Sequence, residues 1–276
     1  MQQYFEKIQQ RYGMVRRARG FYLYTEKGVR LIDMCLDGAR SVLGRREGQV
    51  NLVLKQKTDK GFHGFFPTQA NYVLEKTCRK IFPDYTVTVF SNVKNAFEYV
   101  RLINQAINGT ALRTDSETRE YFTWRPFAAG TKEYLREMPA FLYPPPFACT
   151  AALALVRKTV SSQVIQDTYA AVEQEEIPQA MLFVIAKSLS SLLSNAPEYE
   201  QSMLHHPVLQ LFSEFFNIEG IYLKPQKNES DAGYAALFDY FLEHKILISP
   251  NRYIPSVFPK LEQYRELENA VKQYRM

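Results

Sequence analysis

Nineteen consecutive residues, Met138 to Val156, pass without a charge, and a run this apolar has to be buried somewhere. A helix crossing a bilayer needs about 20 apolar residues with every backbone group paired inside the segment. Pro139 and the triplet Pro144-Pro145-Pro146 break that pattern, leaving Phe147 to Val156 as the clean part. This part is apolar on most sides, which predicts a long helix over 146–171 buried in a globular domain and no membrane anchor. The chain has the size for such a core: at 276 residues with 46% apolar content, it buries roughly 70–75% of its unfolded surface. Neither disulfides nor a structural metal is needed for stability. Cys35, Cys78 and Cys149 are far apart and lack C-x-x-C spacing, as expected of reduced thiols in a cytoplasmic protein. Met1 to Lys7 has no apolar core of the signal-peptide kind, so secretion is not expected.

Charge is uneven along the chain. Residues 1–60 carry a net +7 and residues 61–276 a net −2, within an overall +5. Arg11, Arg16, Arg17, Arg19, Arg30, Arg40, Arg45 and Arg46 suit a phosphate, a nucleic acid or an acidic partner surface. No aromatic-interleaved nucleic-acid motif accompanies them. Solvated charge beside a subunit interface is the plainer expectation, without a nucleic-acid partner.

Periodicity divides the chain into an α/β pattern. Gly20 to Cys35 reads as a hairpin turning at Thr25-Glu26-Lys27-Gly28. A short helix over 49–60 precedes one opened by Pro67 and stopped by Pro83. Tyr85 to Phe90 alternates β-branched and aromatic residues as a strand does, and Ala96 to Ile107 returns to helical spacing. A polar connector over 108–126 leads to a short strand at 127–130. Further on, helices are expected over 178–194, 199–216, 231–245 (capped by Asp231) and 260–274, with strands at 220–223 and 246–249. The expected division is a basic segment with the hairpin over 1–48, a reduced large domain over 49–172, and a small α/β domain over 173–276.

The motifs for nucleotide binding, a serine nucleophile elbow or a zinc protease are absent. His205 and His206, as helix neighbours, point about 100° apart and cannot share a metal, so no metal site is expected. His63, between Gly61-Phe62 and Gly64-Phe65-Phe66, could serve a ligand or interface contact. His244 ends a helix, where a cation favours the dipole.

Four segments together resemble the class III aminotransferases, pyridoxal-phosphate enzymes, most closely the glutamate semialdehyde aminomutase branch. They are Gly20 to Asp33 with Leu43-Gly44-Arg45; Phe66-Pro67-Thr68 through Ser91; Arg125 to Glu133 with Pro146 to Ala154; and Tyr234 to Phe238 with Ile246 to Pro250. The resemblance implies a fold type I pyridoxal-phosphate transferase with a reduced large-domain sheet. It also implies where chemistry has been lost. The family's Ser-Gly-Thr phosphate turn reads Ser91-Asn92-Val93 here. Its Schiff-base lysine, seven residues before the proline matching Pro126, is Arg119, which is permanently charged and cannot form an aldimine. The threonine that reaches the phosphate from the neighbouring subunit matches Phe141. The family's Gly-Asn before that proline is Pro144-Pro145, and its Leu-Gly-His turn ends in Arg45. Only 27 residues lie between Ser91 and Arg119, where the family places the ring-stacking aromatic and the aspartate that pairs with the pyridine nitrogen.

These departures make a catalytically inactive binding, structural or regulatory protein the leading expectation. It would have no cofactor and would form a homodimer, or a heterodimer with a full-length aminotransferase. Excising the sheet between its first and last strands leaves Tyr85 to Phe90 beside 127–130, with an exposed edge. Two alternatives stand beside this reading. One is a pyridoxal-phosphate enzyme using Lys94 or Lys132; the other is a phosphate or carboxylate sensor built on Ser91, Arg119 and the N-terminal arginines.

Overall fold

The computed structural model describes residues 2–45, 49–128, 137–147, 151–173 and 175–274. The chain forms two compact units, one of Met1–Glu47, Phe127–Ala129 and Ala196–Met276, the other of Gly48–Pro126 and Gly130–Asn195. The N-terminal segment and the C-terminal domain, expected as separate pieces, are therefore one unit.

That first unit opens with α1 (Gln2–Tyr12) and three antiparallel strands, β1 (Val15–Arg19), β2 (Tyr22–Thr25) and β3 (Arg30–Asp33). The β2–β3 hairpin turns where expected: Gly28 has φ +73° and donates to the Thr25 carbonyl at 3.1 Å. β1 is a strand the sequence conceals, because three of its five residues are arginines and only Ala18 is shielded. After β3 the chain makes one left-handed turn, Leu36–Ala39, with φ between +43° and +66°. This conformation costs roughly 1–2 kcal/mol per non-glycine residue. Asp33 fastens it: one carboxylate oxygen accepts from the Leu36 N–H at 2.9 Å and the other from Arg45 Nε at 2.6 Å.

The second unit starts with α2 (Val50–Asp59) and α3 (Ala70–Ile81). α3 begins three residues past Pro67, where the Thr68 hydroxyl accepts from the Ala70 N–H at 3.0 Å. β4 (Tyr85–Phe90) and α4 (Val93–Asn108) follow as expected, with Asn92 capping α4 and left-handed Gly109 ending it. The connector holds a short helix, α5 (Ser116–Tyr121), capped by Asp115.

Here the structure overturns two expectations. Residues 127–128 lie in a turn and are not strand; 129 and 130 fall outside the described residues. The long helix over 146–171 does not exist either. Instead the apolar run folds as β5 (Ala140–Tyr143) and β6 (Ala152–Arg157), followed by α6 (Ser162–Ala170). β6 is the middle strand of an antiparallel sheet ordered β4-β6-β5, with Leu155 paired to Val87 on one side and Phe141 on the other. Leu153, Ala154 and Leu155 are fully buried. A strand covered on both faces reads as a continuous apolar run, and periodicity cannot separate it from a buried helix.

The expected exposed edge is also closed at β5. Trp124 N–H donates to Leu142 O and Leu142 N–H to Phe122 O, both at 2.7 Å, so Thr123 bridges Leu142 in parallel. The buried Glu120–Arg125 pair, 2.7 Å apart, braces this segment.

α7 (Gln179–Met203) is one helix where two were expected, passing through Pro197. It is long and apolar enough to cross a membrane, but half of the relevant window is buried within the protein, as in a core helix. Beyond it come α8 (Pro207–Leu211), a 3-10 turn over Phe212–Glu214, and the hairpin of β7 (Phe216–Glu219) and β8 (Tyr222–Pro225), the first of which was not expected. α9 (Asp231–Glu243) is capped by Ser230 rather than Asp231. β9 (Ile246–Leu247) pairs parallel to β3, β10 (Ser256–Val257) pairs with β8, and α10 (Arg265–Tyr274) closes the chain. Phe212, Phe216, Phe241 and Phe258, each no more than 1% exposed, form the core between these elements. α1 docks on α9 through Lys7–Asp239 at 2.7 Å and Tyr12 Oη to Leu242 O at 2.6 Å.

Candidate functional site

Ser91-Asn92-Val93, which the resemblance sets against the family's phosphate seat, lies where β4 runs into α4. The N-terminus of a helix gathers unsatisfied N–H groups and the positive end of the dipole, so it favours an anion. The Asn92 side chain takes one of those groups, accepting from the Asn95 N–H at 2.8 Å. The anion present is the chain's own. Glu175 accepts a hydrogen bond from the Ser91 hydroxyl and one from Asn92 Nδ2 at 3.4 Å. Asn95 Nδ2 donates to the Glu173 carbonyl at 3.0 Å, holding the same acidic segment in place. Val93 supplies no hydroxyl, and no glycine lets the backbone close on a ligand. Lys94, in the first turn of α4, is exposed. A cation there opposes the dipole and has none of the burial that would make its amine a nucleophile. Lys132 lies outside the described residues.

Topology relocates the lysine question. The strand antiparallel to β4 is β6, and the sequence between β5 and β6, 144–151, holds no lysine; Pro144, Pro145 and Pro146 are buried, and 148–150 lie outside the described residues. Arg119 sits instead in the last turn of α5, half-buried. Asp115 accepts from the Thr118 N–H at 2.8 Å and pairs with Arg113 at 2.7 Å. Phe141, which the resemblance sets against the family's threonine, belongs to buried β5. A carboxylate beside the seat repels a phosphate. The described residues therefore do not fit pyridoxal phosphate: Glu175 takes the Ser91 and Asn92 side chains, and the sequence between β5 and β6 has no lysine.

A second polar cluster lies in the first unit. Asp33, fully buried, is paired to Arg45, the residue standing in the Leu-Gly-His turn. Burial raises the carboxyl of nearby Asp37, opposed by Arg40 and Arg45. Burial also pushes the Cys35 thiol up to about 12, helped by Asp33. The left-handed turn keeps these groups close, and their contacts are spent on each other. Among the described residues no group of three or more His, Cys, Asp or Glu could hold a metal. His206 accepts from the Val208 N–H at 3.2 Å and lies against Tyr264, and burial lowers its pKa. His63 is exposed and His244 is the C-cap of α9. Glu175 is the residue sequence reasoning missed. The only signal for it is the acidic run Glu173-Gln174-Glu175-Glu176, unremarkable until the fold brings it to Ser91.

No family model matches the chain. It is 29% identical to an uncharacterised protein of Treponema pallidum, over 97% of this chain and 95% of the other. A second uncharacterised protein, from Borreliella burgdorferi, is 26% identical over 94% and 89%. Among solved structures, ornithine delta-aminotransferase of Plasmodium falciparum matches 98% of this chain and 96% of its own, with TM-score 0.64 and 12% identity. N-acetylornithine aminotransferase of Stenotrophomonas maltophilia matches 100% and 97%, at 0.63 and 13%. A glutamate-1-semialdehyde aminomutase of Pseudomonas aeruginosa matches 97% and 89%, at 0.63 and 11%.

Proposed function

We propose that this chain, which has the aminotransferase fold of the pyridoxal-phosphate transferases, is a catalytically inactive protein of the cytoplasm that works by binding. The observation that carries this reading is the sequence between β5 and β6, 144–151, which holds no lysine and whose Pro144, Pro145 and Pro146 are buried. Without that amine the cofactor's electron sink cannot be attached and presented to a substrate. Glu175 on Ser91 and Asn92 supports the same reading, because it satisfies from within the dipole and donors that would otherwise attract a phosphate.

The working form we propose is a homodimer, or a heterodimer with a full-length aminotransferase. Leu52, Phe65, Phe66 and Tyr72, all within one stretch of the second unit, are 41–62% exposed. Large apolar side chains gathered at a surface mark association sites.

The test is borohydride reduction of the purified full-length protein after incubation with pyridoxal phosphate, read by mass spectrometry of its peptides. The expected result is no phosphopyridoxyl lysine at substoichiometric cofactor. Specific labelling of one lysine, Lys94 or Lys132 above all, overturns the proposal.

A further inference from the structure

The sequence presents the arginines of residues 15–30 as scattered charge, but strand pairing assembles them. In the β1-β2-β3 sheet Arg17 lies opposite Tyr24, and Tyr24 opposite Arg30; Arg19 lies opposite Tyr22, and Tyr22 opposite Ile32. Cross-strand partners project from the same face. Ala18, Leu23 and Leu31 make up the alternate row, and Leu23 and Leu31 are buried in the core. The outer face thus carries Arg17, Arg19, Tyr22, Tyr24 and Arg30 together. The guanidinium of Arg17 stands 5.7 Å from the Tyr24 ring centre and that of Arg30 stands 4.5 Å from Tyr22. This is an ordered cation–aromatic array.

Its charge is largely uncompensated. Arg30 is paired with Glu266 at 3.3 Å, but Arg16, Arg17 and Arg19 have no carboxylate partner among the described residues. All three are exposed. At the head of the same strand Met14 and Val15 are 57% and 44% exposed. Arginine and tyrosine on one face, with exposed Met14 at the head of the strand, have the composition of the energetic centre of a protein interface, and Met14 would gain nothing from a phosphate backbone. A face of one sign cannot meet itself across a two-fold axis, where like would oppose like.

We propose that the outer face of β1 and β2 is a docking surface for an acidic protein segment carrying apolar side chains, whose carboxylates take the guanidinium forks of Arg17 and Arg19. The surface is independent of the lost cofactor seat and goes beyond the inactive-enzyme reading.

The test uses the full-length protein and fluorescence anisotropy with two labelled probes, a peptide rich in glutamate and leucine and an oligothymidylate. Binding of the peptide, weakened about tenfold or more in Arg17→Glu/Arg19→Glu and weakened by salt, is expected, since charge complementarity of this kind is salt-dependent. Tyr24→Ala should also weaken it, with the circular dichroism of each variant unchanged. Equal peptide binding by wild type and the charge-reversed variant overturns the proposal. So does tighter arginine-dependent binding of the oligothymidylate, which would make the partner a nucleic acid.

Discussion

Asp33 shows how one side chain can hold several unfavourable neighbours in place. Its carboxylate is removed from water, yet each oxygen has a donor, and the pair with Arg45 is short and partly shielded. Breaking such a pair costs more than the pair contributes, because a buried charge is left alone. The same surroundings govern Cys35. Burial and then the Asp33 charge push its thiol up to about 12, from an ordinary value of 9.0; burial does the same to Cys78. The thiolate is the reactive form. Cys35 is only partly covered, yet at pH 8 both residues should resist iodoacetamide in the native protein and react in urea, as read by peptide mass spectrometry. The sign for stability follows from linkage. Below about 9 both the folded and unfolded thiols are protonated; between about 9 and 12 only the unfolded ones ionise, so native stability falls as pH rises through that window. Rapid native labelling of Cys35 at pH 8 would refute this account.

At the scale of elements, the β7–β8 hairpin rests on a single glycine. Gly220 has φ +65°, and a Cβ there would collide with the backbone carbonyl of Phe127. Both the conformation and the contact exclude a side chain. Gly220→Ala should therefore destabilise by about 2–4 kcal/mol, combining positive-φ strain with overpacking. Urea unfolding of the variant checks this, and a midpoint unchanged from wild type would show that the hairpin shifts away at no cost. The seat at α4 belongs to this scale as well. A helix dipole is served equally by an external phosphate and by an internal carboxylate. Glu175 arrives on the segment before α7 and takes the Ser91 and Asn92 side chains, while Asn92 itself caps the Asn95 N–H.

At the scale of the molecule, 276 residues is short for the aminotransferase fold, and the chain meets that shortage inside each unit. A three-stranded sheet closes one edge with the Phe122–Trp124 segment, and a reversed Asp33 turn joins N-terminal strands to the C-terminal β9. The exposed aromatic stretch of the second unit remains, and it is the surface on which the proposed dimer depends. Phe65→Asp/Tyr72→Asp should convert the dimer to a monomer in sedimentation velocity while leaving the far-ultraviolet circular dichroism unchanged. A wild-type protein that sediments as a monomer at all concentrations would end the homodimer proposal.

Local chemistry was enough to read much of this from the sequence. The hairpin at Gly28, the strand at Tyr85 to Phe90 and the helix after Asn92 are set by neighbours a few residues apart, through turn residues, β-branched alternation and capping. The α/β class was legible for the same reason. What only the tertiary structure decided depends on distant partners. Ala152 to Arg157 is a strand because β4 and β5 cover its two sides; its own apolar residues would suit a buried helix equally well. Asp33 needs Arg45, the arginines of β1 need the tyrosines of β2 to become a surface, and Ser91 needs Glu175, 84 residues away. Burial and pairing are properties of the folded arrangement, and sequence spacing alone does not say which residues meet.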